Sequence, residues 1–314
     1  MSLLDRIKKG QNKRAPRIML IGVHGVGKST AGAAMPNPVF ICTEDRLVGQ
    51  QFENIPSFKP EDWDEILQFC DELAQNPGDY KSVVIDTLDW AEPMLYKWVC
   101  KKYNFKNIEE PGYGKGYNIA QQESRQLIAR LERLNNIGMN ILLLCHSDVK
   151  TINDPSRDNY DRFVCKMNQK IGNLFLEWCD QILFAQFDMY TKKDGMRTKA
   201  YGGDGRIVQT THSAAWDAKN GYGLPEVMPL DMGAIMEAIN ESINGKTKDE
   251  DIESLKAEFM GYVKNMRPDI AQKATKWLES GKWTTQQLAQ KVNSYRVKQN
   301  INVTEEKKEA ETNG

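Results

Sequence analysis

Eight residues constrain this chain more than any other feature: Gly22-Val23-His24-Gly25-Val26-Gly27-Lys28-Ser29. They fit the pattern GxxxxGK[ST] in full. They follow the apolar run RIMLI and precede a small-residue stretch that opens Ser29-Thr30-Ala31. A strand entering such a turn and a helix leaving it is the context in which the pattern binds phosphate. The glycines let backbone N–H groups converge on phosphate oxygens, at a helix N-terminus whose dipole favours anions. Gly22, His24, Gly25, Val26, Gly27 and Thr30 are the expected cradle of a nucleotide. Lys28 is expected to reach the β and γ phosphates, and Ser29 to ligand Mg2+. A chance match in a chain of ordinary glycine content is on the order of one in a hundred.

The motif demands strands that end beside helix starts, and the sequence supplies them. Short apolar runs predict strands at Arg17–Gly22, Pro38–Thr43, Ser82–Asp86 and Met139–Cys145, with further strands at Gln181–Phe187 and Arg206–Thr211. A hairpin is expected around Lys192–Gly195. Apolar residues at helical spacing predict helices at Glu61–Ala74, Trp90–Tyr103 and Asn118–Asn136. Unbroken apolar strands alternating with helices imply an α/β fold with a mostly parallel sheet covered on both faces. After about residue 245 the pattern becomes helical only. Ile252, Leu255, Phe259, Val263 and Met266 mark one helix, Pro268 opens a second, and Thr284 with Gln287 forms a capping box for a third. The expected organisation is a basic N-terminal arm at 1–16, an ATPase core at 17–245, a helical unit at 246–302 and a disordered acidic tail at 303–314.

Charge and cysteine content bound the partners and the compartment. The 42 Lys and Arg nearly balance 43 Asp and Glu. Along the chain that balance is a cancellation: residues 1–17 carry net +5, 18–245 net −8, 246–304 net +4 and 305–314 net −2. A nucleic-acid contact would therefore come from local loops or the basic ends. The six cysteines show no CxxC spacing, so no zinc site is expected. No apolar stretch is long enough to cross a bilayer, and the N-terminus has no apolar secretory region. A cytoplasmic protein without a membrane partner is expected.

Phosphate chemistry calls for further side chains at strand ends. Asp86 closes SVVID and is the expected holder of the Mg2+ shell, with Asp89 close by. Glu44 follows the second strand, where a carboxylate could orient or deprotonate water. His146 ends the fourth strand. From spacing alone, a γ-phosphate contact and a satisfied loop histidine are equally open for it.

The order of P-loop, FICTE, VVIDT and ILLLCHS resembles the RecA-type recombinase core. The resemblance covers about residues 15–240. Within it, the stretches Gly112–Tyr117 and Trp178–Asp180 resemble the short phage ATPases of the Sak-type single-strand annealing group. The resemblance implies an ATPase using ATP and Mg2+, stimulated by single-stranded DNA, that promotes annealing or strand exchange in phage DNA recombination. It implies self-association as a filament or ring, and a single-strand-binding protein as a further partner. Glu44 takes the position of the catalytic Glu, and His146 that of the residue sensing the γ-phosphate. Lys219 falls in the segment that reaches a neighbouring subunit's ATP, although Gly221 stands where the family has a second basic residue.

Single-strand binding needs cations along a groove and aromatic faces for bases. The expected contacts are Lys150, Arg157, Arg162, Phe163 and Lys166, in a long loop over 147–170, and Tyr113, Lys115 and Tyr117 in the glycine-rich loop. Residues 192–206, with five basic and two acidic groups, are a further candidate. A different class stays open: an adaptor ATPase switched by nucleotide, whose C-terminal helices bind a protein.

Overall fold

The computed structural model describes residues 14–44, 49, 52–153, 158–194, 197–244, 252–264 and 268–280, with positions 288, 291, 292 and 295. Its centre is a ten-stranded sheet in the order β10-β8-β7-β1-β5-β4-β2-β3, with β6 paired to β5 and β9 to β7. The strands are β1 Arg17–Gly22, β2 Pro38–Cys42, β3 Ser57–Phe58, β4 Ser82–Asp86, β5 Asn140–Ile152, β6 Tyr160–Cys165, β7 Gln181–Asp194, β8 Arg197–Gln209, β9 Lys219–Asn220 and β10 Val227–Pro229. From β7 through β1, β5, β4 and β2 to β3 every pairing is parallel. The pairings of β8 with β7 and of β10 with β8 are antiparallel.

Alternation within the buried strands divides the apolar residues between two layers. Met19, Ile21, Ile41, Val83, Ile85, Ile141 and Leu143 face one core. It is closed by α2 Trp63–Gln75, α3 Leu88–Tyr103, α4 Lys115–Asn136 and α5 Gln169–Trp178. Ile18, Leu20, Phe40, Val84, Leu142 and Leu144 face the other core. Helices α1 Lys28–Ala33 and α6 Met232–Asn244 close that side. Sheet strands buried on both faces are why the sequence reads as continuous apolar runs rather than as alternation. Helix α2 begins where Asp62 accepts a hydrogen bond from the Glu65 N–H, a side-chain cap that starts it two residues after the expected Glu61.

Several expectations are corrected. The expected loop over 147–170 is mostly regular structure. Strand β5 continues past Cys145 to Ile152 and pairs antiparallel with β6, from Ser147 opposite Cys165 to Ile152 opposite Tyr160. Helix α5 then begins at Gln169, capped by the Asn168 side chain. The hairpin was hidden because its outer residues are largely exposed, so no buried face leaves an apolar alternation. Helix α6 and the two-residue strand β3 also went unforeseen. The hairpin near Lys192–Gly195 is present and longer than expected, pairing Asp194 with Arg197 at its tip.

Helices α7 Ile252–Val263 and α8 Pro268–Glu279 occupy the two expected places. Leu255, Phe259 and Val263 share a small core with Leu288 and Val292. The capping box at Thr284 and Gln287, the segment 1–13 of the basic arm and the acidic tail lie outside the described residues. Among the described residues, no helix is long and apolar enough to cross a membrane.

Candidate nucleotide site

Parallel strands leave their C-terminal ends on one edge, where side chains from separate strands converge. Strand register aligns Gly22 with His146 on one side and with Ala185 on the other. Cys42 aligns with Asp86. Gly22 could carry no side chain, because a Cβ there would stand 2.8 Å from the Ala185 carbonyl oxygen. Gly27 caps α1 in the left-handed conformation, φ 99°, which favours glycine.

Lys28 is buried at 6% exposure. Its Nζ donates to the Gly22 carbonyl at 3.0 Å and the Val23 carbonyl at 3.1 Å. Burial pushes the ammonium below its ordinary range, against the opposing fields of Asp89, Cys145, Asp86 and Glu44. Asp86 ends β4, and burial raises its carboxyl above the usual range, although a hydrogen bond from the Ser29 hydroxyl opposes the shift. The Thr43 and Glu44 N–H groups both donate to the Asp86 carbonyl, at 3.0 and 3.3 Å. That pair of bonds places Glu44, itself buried, beside Asp86 at the sheet edge.

His146 is a buried residue within β5 rather than a loop histidine. Its backbone N–H donates to Asp89 Oδ1 at 3.0 Å, its Nδ1 lies 3.0 Å from Asp89 Oδ2, and its ring stacks on His24 at 4.2 Å. Burial alone would raise the Asp89 carboxyl, but bonds from the His146 ring and N–H hold it below the usual carboxylate range. Asp89 therefore orients His146, and Asp86 is the carboxylate beside Ser29.

Sequence reasoning missed three features of this site. Asp89 was noticed only as a weaker metal candidate, because nothing local shows that α3 carries it against β5. His24 occupies a variable position of the motif, so its stacking had no signal. Arg206 was grouped with the basic residues of the hairpin, yet its guanidinium lies over the P-loop. A Cβ on Gly27 would meet Arg206 Nη1 at 2.8 Å. The approach spans β7, the strand between β8 and β1, and leaves no trace in local sequence.

The expected DNA contacts divide into three groups. Tyr113 is fully exposed, and Lys115, Lys150 and Lys166 are exposed. Arg162, Phe163 and Tyr117 are half-buried and make contacts within the chain. The Arg162 guanidinium is engaged by Asp217 and the Trp216 carbonyl. The Phe163 ring packs against Phe184 at 5.0 Å. Tyr117 donates its hydroxyl to Glu109 and sets its ring edge-on to Tyr96. Each of these three is held by the fold through contacts that neighbouring sequence does not reveal. Arg157 lies outside the described residues.

Lys219 is not in this chain's cluster. It pairs with Ile182, which aligns with Met19 near the opposite end of β1 from the P-loop. Its Nζ donates to the Cys179 carbonyl at 2.6 Å, beyond the C-terminus of α5. The Trp178–Asp180 stretch lies at the same far edge, where Arg17 bonds Asp180 and Glu132 and covers the Trp178 ring at 4.8 Å.

The cluster can hold a polyphosphate at backbone N–H groups and Lys28, and a divalent cation between Ser29 and Asp86. A family model described as AAA domain matches residues 14–222, more than half of the chain. No curated protein matches it.

Proposed function

The chain belongs to the AAA domain family, a P-loop ATPase family, and from that premise we propose that it is a RecA-like ATPase that binds single-stranded DNA and promotes annealing or strand exchange. The observation that carries the proposal is the continuity of β5. Its buried half ends at His146, stacked on His24 of the P-loop, and its exposed half is one arm of the β5–β6 hairpin. A shift of either ring on contact with the γ-phosphate bears directly on a surface that carries Lys150 and lies beside Lys166.

Lys28 binds the β and γ phosphates, and the P-loop N–H groups hold the remaining oxygens. Ser29 and Asp86 fit Mg2+, because the fold sets a hydroxyl close enough to the Asp86 carboxyl to act on it. When bound, the cation neutralises charge developing on the phosphates. Glu44 orients the attacking water and accepts its proton. Lys219 acts from a neighbouring copy in a filament or ring, consistent with its place far from this chain's own P-loop. Tyr113 stacks a base while Lys115, Lys150 and Lys166 follow the phosphates. A single-strand-binding protein is the further partner proposed.

The test is turnover of the full chain with and without a single-stranded oligonucleotide, together with electron microscopy using a non-hydrolysable ATP analogue. Stimulated turnover and a ring or filament on DNA are expected. If saturating oligonucleotide changes neither turnover nor assembly, the DNA proposal fails.

The separate core of Leu255, Phe259, Val263, Leu288 and Val292 favours a second reading, a nucleotide-switched adaptor. Deleting residues 246–314 discriminates. Loss of a protein partner with DNA binding retained supports adaptor work by that unit.

A further inference from the structure

We propose that Arg206 is a nucleotide-binding residue that grips the α-phosphate end and so sets affinity for diphosphate and triphosphate alike; the proposal rests on the ATPase reading above. Arg206 sits on β8, two strands from β1 and on the side away from β4 and β2. Its backbone is fixed twice, opposite Phe187 in the β7–β8 ladder and by its carbonyl accepting from the Leu230 N–H at 2.9 Å. From there its side chain crosses to the P-loop, so that Nη1 lies 2.8 Å and Cζ 3.7 Å from where a Gly27 Cβ would be.

Charge argues for an anion at that place. Lys28 stands in the field of Asp86, Asp89 and Glu44. The Arg206 guanidinium has no hydrogen-bond or ion-pair partner among the described residues. A guanidinium over a phosphate-binding turn is matched by phosphate oxygens, which its planar fork takes two at a time.

Position selects which phosphate. Lys28 reaches toward the β and γ groups, and Asp86 and Glu44 lie on the β4 and β2 side, where the terminal phosphate is attacked. The β7 and β8 side of the turn is left for the α-phosphate and the nucleoside. A contact there is made equally by ADP and ATP, so it contributes uniform binding and does not favour the transition state.

The experiment measures ADP and non-hydrolysable ATP analogue binding to the full chain by calorimetry, for the native protein and for Arg206→Ala and Arg206→Lys. Losing a charge-assisted contact is expected to weaken both ligands by about 10- to 100-fold, with lysine restoring part of the loss. KM for ATP rises in step while kcat falls far less. The two α-phosphorothioate diastereomers of ATP are compared as well, and the discrimination between them is expected to change in Arg206→Ala. Unchanged ADP affinity with a fall in kcat, or an unchanged diastereomer ratio, overturns the proposal, as does native affinity in both variants. If the native protein binds neither nucleotide, the ATPase reading itself has failed, a distinct outcome.

Discussion

Lys28 holds its ammonium in a buried turn, against two carbonyls and within the field of three carboxylates. Replacing it with Ala removes the charge proposed to meet the β and γ phosphates. ATP turnover, followed by phosphate release, should fall by about 100-fold or more. Asp86 and Asp89 are shifted in opposite directions. Burial keeps Asp86 protonated over a range in which the unfolded chain has already lost the proton. Its neutral form therefore contributes stability that is complete below the ordinary carboxylate range and lost as pH rises through the raised value. Asp86→Asn should abolish Mg2+-dependent turnover and yet flatten this part of the stability profile, measured by thermal melts across pH. Asp89 has the opposite sign. Its contribution is present above the ordinary carboxylate range and is lost as pH falls through the depressed value. Asp89→Ala leaves the His146 N–H and Nδ1 without their carboxylate, which should cost about 1–3 kcal/mol in chemical denaturation. It should also weaken DNA stimulation of turnover, a readout that a merely structural role would leave in place.

At the scale of elements, one strand serves two purposes. The first half of β5 is core, and its second half is a hairpin arm carrying Lys150, with Val149 exposed beside it. The glycine-rich loop before α4 presents Tyr113 fully to solvent at φ 49°, in the left-handed region that favours glycine. A bulky residue held there is unusual, and under the proposed DNA binding its exposed ring is the face that stacks a base. Tyr113→Ala should weaken oligonucleotide binding by the worth of one stacked base, about 1–3 kcal/mol, measured by fluorescence anisotropy. Phe163→Ala provides the contrast, because its ring is packed against Phe184. Its dominant effect should be a loss of thermal stability.

For the whole molecule, near-neutral net charge hides a basic start, an acidic middle and a basic helical segment. DNA affinity should therefore come from a few local cations. The logarithm of the binding constant should fall linearly with the logarithm of salt, with a slope reporting few phosphates. A salt-independent affinity would count against the DNA proposal. The sequence by itself determined the α/β class, the P-loop and the strand-end residues Glu44, Asp86 and His146. These depend on short-range pattern: apolar runs, a glycine spacing, and a polar residue where an apolar run stops. Only the tertiary structure decided that Asp89 orients His146 and that Arg206 reaches Gly27. Only it showed that Arg162 and Phe163 are held within the fold, and that Lys219 lies at the far edge. Those outcomes rest on strand order and register between segments distant in sequence, and no local pattern encodes which strand will lie beside which.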